Sequence, residues 1–429
     1  MLFERGFSPI VKTRVTATVD CPTGLLVSAG SMNRNRRQPK TKGPNSLIPL
    51  SVPEIRGNEW KYIRECLDTN WVSSAGSYVD QFEHAIAEQV GVKHAVATVN
   101  GTAALHVALL VAGIGPDDEV LVPALTFIAP ANAVRYVGAW PVFIDVEPNY
   151  WQIDTNKVRE FLTNECHWED GTLLNKTTGR PLKAILPVDI LGHPVDMDPL
   201  LELARRFNLK VIEDATESLG AKYRDRVVGS QADVACLSFN GNKLITTGGG
   251  GMLVTECQDW ASQARYLTTQ AKDDPLEFVH EQIGYNYRLT NLQAAMGCAQ
   301  VEQLDAYIAA KRKIAASYSR AFEKITGIAS MRDAPWAFSV FWMFTVLVDE
   351  SGYGMGSRDL LQRLSQVGIE TRPLWQPLHQ SPAYSRCQNY YCDVAEKINR
   401  EALTLPCSVG LRPEDQQQVI EQIGRLQCI

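Results

Sequence analysis

Short apolar runs closed by turn-forming or acidic residues recur through the first two thirds of the chain. They fall at 94–99, 119–123, 141–145, 184–189, 209–214, 234–239 and 251–254. Runs of this length with turn residues on either side read as buried strands. Segments with helical periodicity lie between them, from Asn100 to about 111, over 197–207 and over 260–272. Strands alternating with helices argue an α/β fold whose mostly parallel sheet is covered on both faces. About seven strands are expected. Ahead of them, a helix is expected from about 53 to 67, a turn-rich loop at 71–78 and a second helix at 79–90. The polar stretch 163–181 reads as an excursion from the core, with a hairpin turning at Asp170-Gly171. A long helix is expected over 292–322. From about Lys311 the pattern becomes that of a smaller α/β domain, with strands at 344–348 and 368–372, a helix at 358–367 and a closing helix at 413–426.

Three regions follow: a basic extension at 1–47, a large domain at 48–310 and a small one at 311–429. The extension holds Lys12, Arg14, Arg34, Arg36, Arg37, Lys40 and Lys42 and has little to bury, so it reads as disordered, with Met32 as an alternative start. A basic arm that binds an acidic partner is the other reading. A chain of 429 residues can bury a sizeable core in two domains.

Composition narrows the field. A formal net charge of −6 offers no general attraction to nucleic acid or to an anionic membrane. Ten cysteines are scattered without a CxxC pair or a zinc-type cluster, which suits reduced thiols in a cytosolic protein and no metal site. No apolar run is long enough for a membrane span, and the N-terminal apolar stretch is shorter than a signal-peptide core.

Candidate chemistry gathers where runs end. Asp214 closes one, Ser238 lies near the end of the next, and a lone lysine, Lys243, stands in the polar loop that follows, ahead of glycines at 248–251. Functional groups on such sheets cluster at strand ends, so these three can meet at one edge. The helix opening Asn100-Gly101-Thr102 presents free N–H groups and the positive end of its dipole, which suits a phosphate dianion; Thr102 also suits an ordinary helix cap. For a lone Phe such as Phe127, just after a strand, core packing is the ordinary role. No P-loop competes, since no Lys-Ser or Lys-Thr follows the glycines.

The string SFNGNKLITTGGGG at 238–251 resembles the lysine loop of the DegT/DnrJ/EryC1/StrS sugar aminotransferases, which are fold-type-I pyridoxal 5′-phosphate (PLP) enzymes. IEDATESLGA at 212–221 resembles the acidic strand end of that family. The likeness runs from about Pro49 to Pro406. GYNYRLTNLQAAMG and LSVPEIRGNEWKYI are similar to the branch that aminates nucleotide-linked 4-keto-6-deoxy sugars on the way to bacillosamine- or legionaminic-acid-type glycans. The resemblance implies the fold-type-I architecture, with a seven-stranded large domain and a smaller C-terminal one. It implies that Lys243 holds PLP as a Schiff base and then moves protons as general acid and base. It implies that Asp214 keeps the pyridine nitrogen protonated, that Phe127 stacks on the ring and that Glu217, often Gln in the family, meets the ring hydroxyl. Gly101, Thr102 and Ser238 would cradle the phosphate, with Ala103 also at the cofactor and Asn286 reaching over from a second subunit of an obligate homodimer. Trp71 and His379 would face the nucleotide sugar. Asn100 stands where the family usually has Ser, and Asp189 where it often has His. The implied reaction transfers an amino group from glutamate to C4 of a UDP- or GDP-linked 4-keto-6-deoxy sugar, one bearing a 2-acetamido group in that branch. Two other readings on the same scaffold are a sugar dehydratase, which has His in place of the lysine, and a non-enzymatic regulator, which would lack Lys243, Asp214 or the Asn-Gly-Thr turn.

Overall fold

The computed structural model describes residues 47–427 except Pro275. The basic segment 1–46 therefore lies outside the described residues. Eight strands form the central sheet, in the order His94–Thr98, Gly251–Thr255, Val234–Ser238, Lys210–Asp214, Leu182–Ile185, Glu119–Pro123, Trp140–Ile144, Asn389–Tyr390. Every neighbouring pair is parallel except the two made by Gly251–Thr255, which runs antiparallel to both its neighbours. Seven strands correspond to the seven apolar runs. The eighth, Asn389–Tyr390, comes from the C-terminal part of the chain and is too short to leave a periodic signal.

The helix Gly101–Val111 sits against the strands Val234–Ser238 and Gly251–Thr255 and also packs on the helices Ala129–Tyr136 and Gln258–Thr268. It is apolar on nearly all sides because nearly all sides are covered. Each Leu or Val it buries is worth roughly 1.5–3 kcal/mol. The hairpin expected within 163–181 is present, pairing Cys166–Glu169 with Thr172–Asn175 around Asp170-Gly171. In the C-terminal part, Ile328–Ser330, Phe344–Val348 and Ala402–Leu405 form a second, antiparallel sheet, with Ser357–Gln366 and Pro413–Leu426 as helices. No helix among the described residues is long and apolar enough to cross a membrane.

Three expectations are corrected. The first helix runs Glu59–Asp68 rather than from 53. The segment before it is held extended by distant partners: Val52 N donates to Ser408 Oγ, and the Glu54 carbonyl accepts from Gln300 and Tyr307. The helix expected over 292–322 is two helices, Asn291–Val301 and Leu304–Phe322. At the break Gln303 N bonds back to the Gln300 carbonyl, and Glu302 is drawn aside by Asn58 and Tyr62. The run 368–372 makes only isolated bridges, Ile369 with Ile48 and Arg372 with Thr404. Pro373, which follows, has no N–H to continue a ladder.

Candidate active site

The site forms where two parallel strands end side by side. Asp214 closes Lys210–Asp214, and Ser238 closes Val234–Ser238, whose Cys236 pairs with Asp214. The helix Gly101–Val111 starts at the same edge. Asn100 caps it, its side-chain oxygen accepting from Ala103 N at 2.8 Å. The N–H groups of Gly101 and Thr102 precede the first intrahelical bond. Two glycines let backbone and side chains approach here. A Cβ on Gly101 would stand 2.9 Å from Ser238 Cβ, and one on Gly251 would collide with the Asn100 backbone.

These elements enclose a cavity of about 340 Å³. Gly101, Thr102, Phe127, Asp214, Glu217, Ser238 and Lys243 all line it. Ala103 is buried one residue further into the helix. Trp71, Asn286 and His379 do not line this chain's cavity. Trp71 is exposed on a loop pinned by Asn291, whose Nδ2 donates to the Trp71 carbonyl at 2.8 Å. Asn286 is exposed and bridges Thr269. His379 is nearly enclosed, with Nε2 2.9 Å from Glu396 Oε1. Through Glu396 it ties the short turn Leu378–Gln380 to the helix Asp393–Glu401.

Thr216, Trp342 and Trp375 also line the cavity, although the sequence did not single them out. Thr216 had a local signal: two residues past an Asp, it sits where an Asx turn places a donor, and its N–H reaches Asp214 Oδ1 at 3.1 Å. The two tryptophans had none, because they lie far along the chain from every other lining residue.

Lys243 Nζ lies 3.4 Å from Glu217 Oε1 and 4.1 Å from the centre of the Trp342 ring. Glu217 is held from behind by Leu191 N, which donates to Oε2 at 2.8 Å. Burial pushes the Glu217 carboxyl above its ordinary range, and the Lys243 charge pulls it back. Asp214 behaves likewise: burial raises it, while hydrogen bonds from Thr216 and the charge of Lys243 oppose the rise. Asp189, where the family often has His, does not line the cavity. Its fully buried carboxyl accepts from Val195 N at 2.9 Å and Ser218 Oγ at 2.8 Å and shares a hydrogen bond with Glu213. Burial pushes it up to about 7, and Glu213 beside it is raised by burial and by that neighbour. Two carboxyls in contact need a proton between them.

This arrangement fits PLP on chemical grounds. A buried carboxyl that burial alone would neutralise is matched to a cationic ring nitrogen, which would hold Asp214 ionised. The Gly101–Thr102 turn and Ser238 offer donors at a helix N-terminus for a dianion. Lys243 supplies the amine, nearly enclosed between an acid and an aromatic face. No group of His, Cys, Asp or Glu able to hold a metal ion occurs among the described residues.

Comparison with known proteins agrees with this chemistry. Residues 53–424 match the DegT/DnrJ/EryC1/StrS aminotransferase family. The GDP-perosamine synthase of Caulobacter vibrioides is 40% identical over 380 residues, covering 88% of this chain and 98% of that protein. The GDP-perosamine synthase of Escherichia coli O157:H7 is 38% identical over 377 residues, with the same two coverages. The crystal structure of S. venezuelae DesV superposes with a TM-score of 0.78 at 31% identity, covering 87% of this chain and 95% of that one. The chain belongs to the DegT/DnrJ/EryC1/StrS aminotransferase family and is a PLP-dependent aminotransferase of nucleotide sugars.

Proposed function

We propose that the enzyme moves an amino group from glutamate to C4 of a GDP-linked 4-keto-6-deoxy sugar, giving the 4-amino sugar. The observation that carries this is the meeting of Lys243 and Asp214 in one cavity. The guanosine diphosphate carrier is supported by the names of the relatives in Caulobacter vibrioides and Escherichia coli O157:H7. A UDP-linked 2-acetamido sugar is the second reading, resting on the likeness of 50–63 and 284–297 to the legionaminic- and bacillosamine-type branch.

PLP supplies an electron sink for the carbanion formed at the donor's Cα. In this reading the chain's residues do the rest. Asp214 anchors the ring nitrogen and keeps it charged. Gly101, Thr102 and Ser238 bind the phosphate, Ala103 borders the cofactor with its N–H given to the Asn100 cap, Phe127 covers the ring, and Glu217 meets its hydroxyl. The Lys243 amine, once free, would take and return the proton at the substrate carbon as general acid and base. Nearly enclosed beneath Trp342, it works with little water to compete. Asn286 from a second copy would complete the phosphate site, which makes the enzyme a homodimer of shared sites. The division into 48–310 and 311–429 belongs to this reading too, as does a cytoplasmic location. The cavity takes Trp342 and Trp375 from the second region.

The test mixes purified enzyme with glutamate and GDP- or UDP-linked 4-keto sugars and follows 2-oxoglutarate and the amino sugar by mass. Turnover of the GDP sugar with loss of at least about a thousandfold in Lys243→Ala is expected. Full activity in Lys243→Ala would remove the reading, and preference for the UDP sugar would install the second one.

A further inference from the structure

The Trp342 ring meets the atom on which the proposed reaction turns. Lys243 Nζ stands 4.1 Å from the ring centre, and the indole Nε1 donates to the backbone carbonyl of Asn242, the residue just before the lysine, at 2.7 Å. One side chain therefore grips the lysine's loop with its edge and faces the lysine's amine with its plane. Glu217 faces the same amine at 3.4 Å. An ammonium between a carboxylate and an aromatic face is held by charge and by the ring quadrupole together.

The backbone behind both groups is strained. Phe341, immediately before Trp342, has φ 49°, and Leu191, whose N–H supports Glu217, has φ 61°. Bulky side chains rarely adopt this left-handed conformation, and it persists only where the surroundings over-determine it. Here they do. Gly192, next to Leu191, gives its carbonyl to Val340 N at 3.0 Å and to Ser339 Oγ at 2.9 Å, and Ser339 Oγ in turn accepts from Phe341 N at 3.0 Å. A Cβ on Gly192 would stand 2.8 Å from Trp342 N. The two strained turns are thus bonded to each other. One aims Trp342 and the other aims Glu217, both at Lys243 Nζ.

We infer that Trp342 is a positioning residue that seats the Lys243 amine whenever it is free, opposite Glu217. This rests on the reading of Lys243 as the catalytic amine. A lysine released from a covalent linkage has four rotatable bonds and must be kept near the substrate carbon. The indole provides that seat and also fixes the loop from which the side chain springs.

The test compares Trp342→Leu, which loses both contacts, with Trp342→Phe, which keeps an aromatic face, in the PLP-loaded enzyme. Trp342→Leu is expected to lower kcat about 10- to 100-fold, the scale of a small misplacement of a reacting group, while KM for the sugar moves less than about threefold. Trp342→Phe is expected to recover most of kcat. The visible circular dichroism of bound PLP, which reports how rigidly the linked ring is held, should weaken in the Leu variant and return in the Phe variant. A second measurement covers poor folding of the Leu variant. In Lys243→Ala, added ethylamine should restore part of the activity, and adding Trp342→Phe should leave its half-saturating concentration within about threefold, whereas Trp342→Leu should raise it roughly tenfold. A loss confined to KM would make the indole a substrate wall and overturn the proposal. Equal losses in the Phe and Leu variants, or ethylamine rescue indifferent to residue 342, would overturn it too. Full activity in Lys243→Ala alone would instead remove the reading of Lys243 on which it rests.

Discussion

At Gly101 the backbone of one helix passes so close to Ser238 that a single methyl group would crowd it, the added Cβ standing 2.9 Å from Ser238 Cβ. Gly101→Ala must push the helix start away from the strand end, and the free N–H groups of Gly101 and Thr102 move with it. We expect PLP affinity to fall by roughly tenfold, with stability reduced by about 1–3 kcal/mol, as read by fluorescence titration and thermal melting. Asp189 carries a different prediction. Its carboxyl lies well above the ordinary carboxylate range in the folded chain, at about 7, because burial disfavours its charge. The protonated form therefore favours folding. That contribution is complete below about pH 4, where the unfolded carboxyl is also protonated, and is lost as pH rises through about 7. Asp189→Asn keeps a donor toward Glu213 and cannot ionise. The melting temperature of the variant relative to wild type should rise between about pH 5 and about pH 8, and a pH-independent difference would contradict the shared proton. At this scale Asp214, Ser238, Lys243, Gly101 and Thr102 were legible, because each stands at the end of a run or the start of a helix that is local in sequence. Trp71, Asn286 and His379 do not line the cavity of the single chain, and only for Asn286 did the resemblance imply a role across two subunits.

Among the elements, helix ends carry much of the information. Asp145, fully buried just past the strand Trp140–Ile144, accepts from Val394 N at 2.9 Å and Ala395 N at 2.8 Å at the start of the helix Asp393–Glu401, and binds Lys157 Nζ at 3.0 Å. The helix it caps carries Glu396 and Asn399, which hold His379 and the Trp375 carbonyl. Asp145→Ala leaves the buried Ala395 N–H and the part-buried Val394 N–H without that acceptor, and Lys157 with the Tyr391 carbonyl alone. We expect a loss of about 2–4 kcal/mol by denaturant titration, with a larger effect on substrate KM than on PLP binding, because the wall that moves is the one with Trp375. The seven main strands could be read from apolar runs because each is buried on both faces and shows as a continuous stretch. The start of the first helix, the break at 302–303 and the lack of a ladder at 368–372 could not be read. There, single side chains act across the fold: Gln300 and Ser408 bond the backbone of Glu54 and Val52, and Glu302 bonds the side chains of Asn58 and Tyr62.

For the whole molecule, the prediction concerns a second copy. Asn286 is exposed and does not line the cavity of its own chain. If the phosphate site is completed by a partner, Lys243→Ala and Asn286→Ala subunits are each impaired alone. Mixed and reassembled, they should recover up to about a quarter of wild-type activity, since in a mixed dimer one site regains both residues. No recovery after subunit exchange would place Asn286 outside the site. The C-terminal part also has a whole-molecule role: its Asn389–Tyr390 strand joins the main sheet, and Ile369 bridges Ile48 near the beginning of the described chain. Trp342 and Trp375 reach the cavity by the same interleaving.

The order of strands and helices, the acid at one strand end, the lysine in the next loop and the phosphate-type turn were set by the sequence itself. Each depends on hydrophobic period, turn chemistry and neighbours a few residues away. Only the tertiary structure decided which aromatic faces the lysine amine, which backbone turns take up strain to aim it, and how Asp189 and Glu213 came to share a proton. Those outcomes depend on packing between segments about a hundred residues apart or on burial of charge, and neither leaves a periodic trace in the chain.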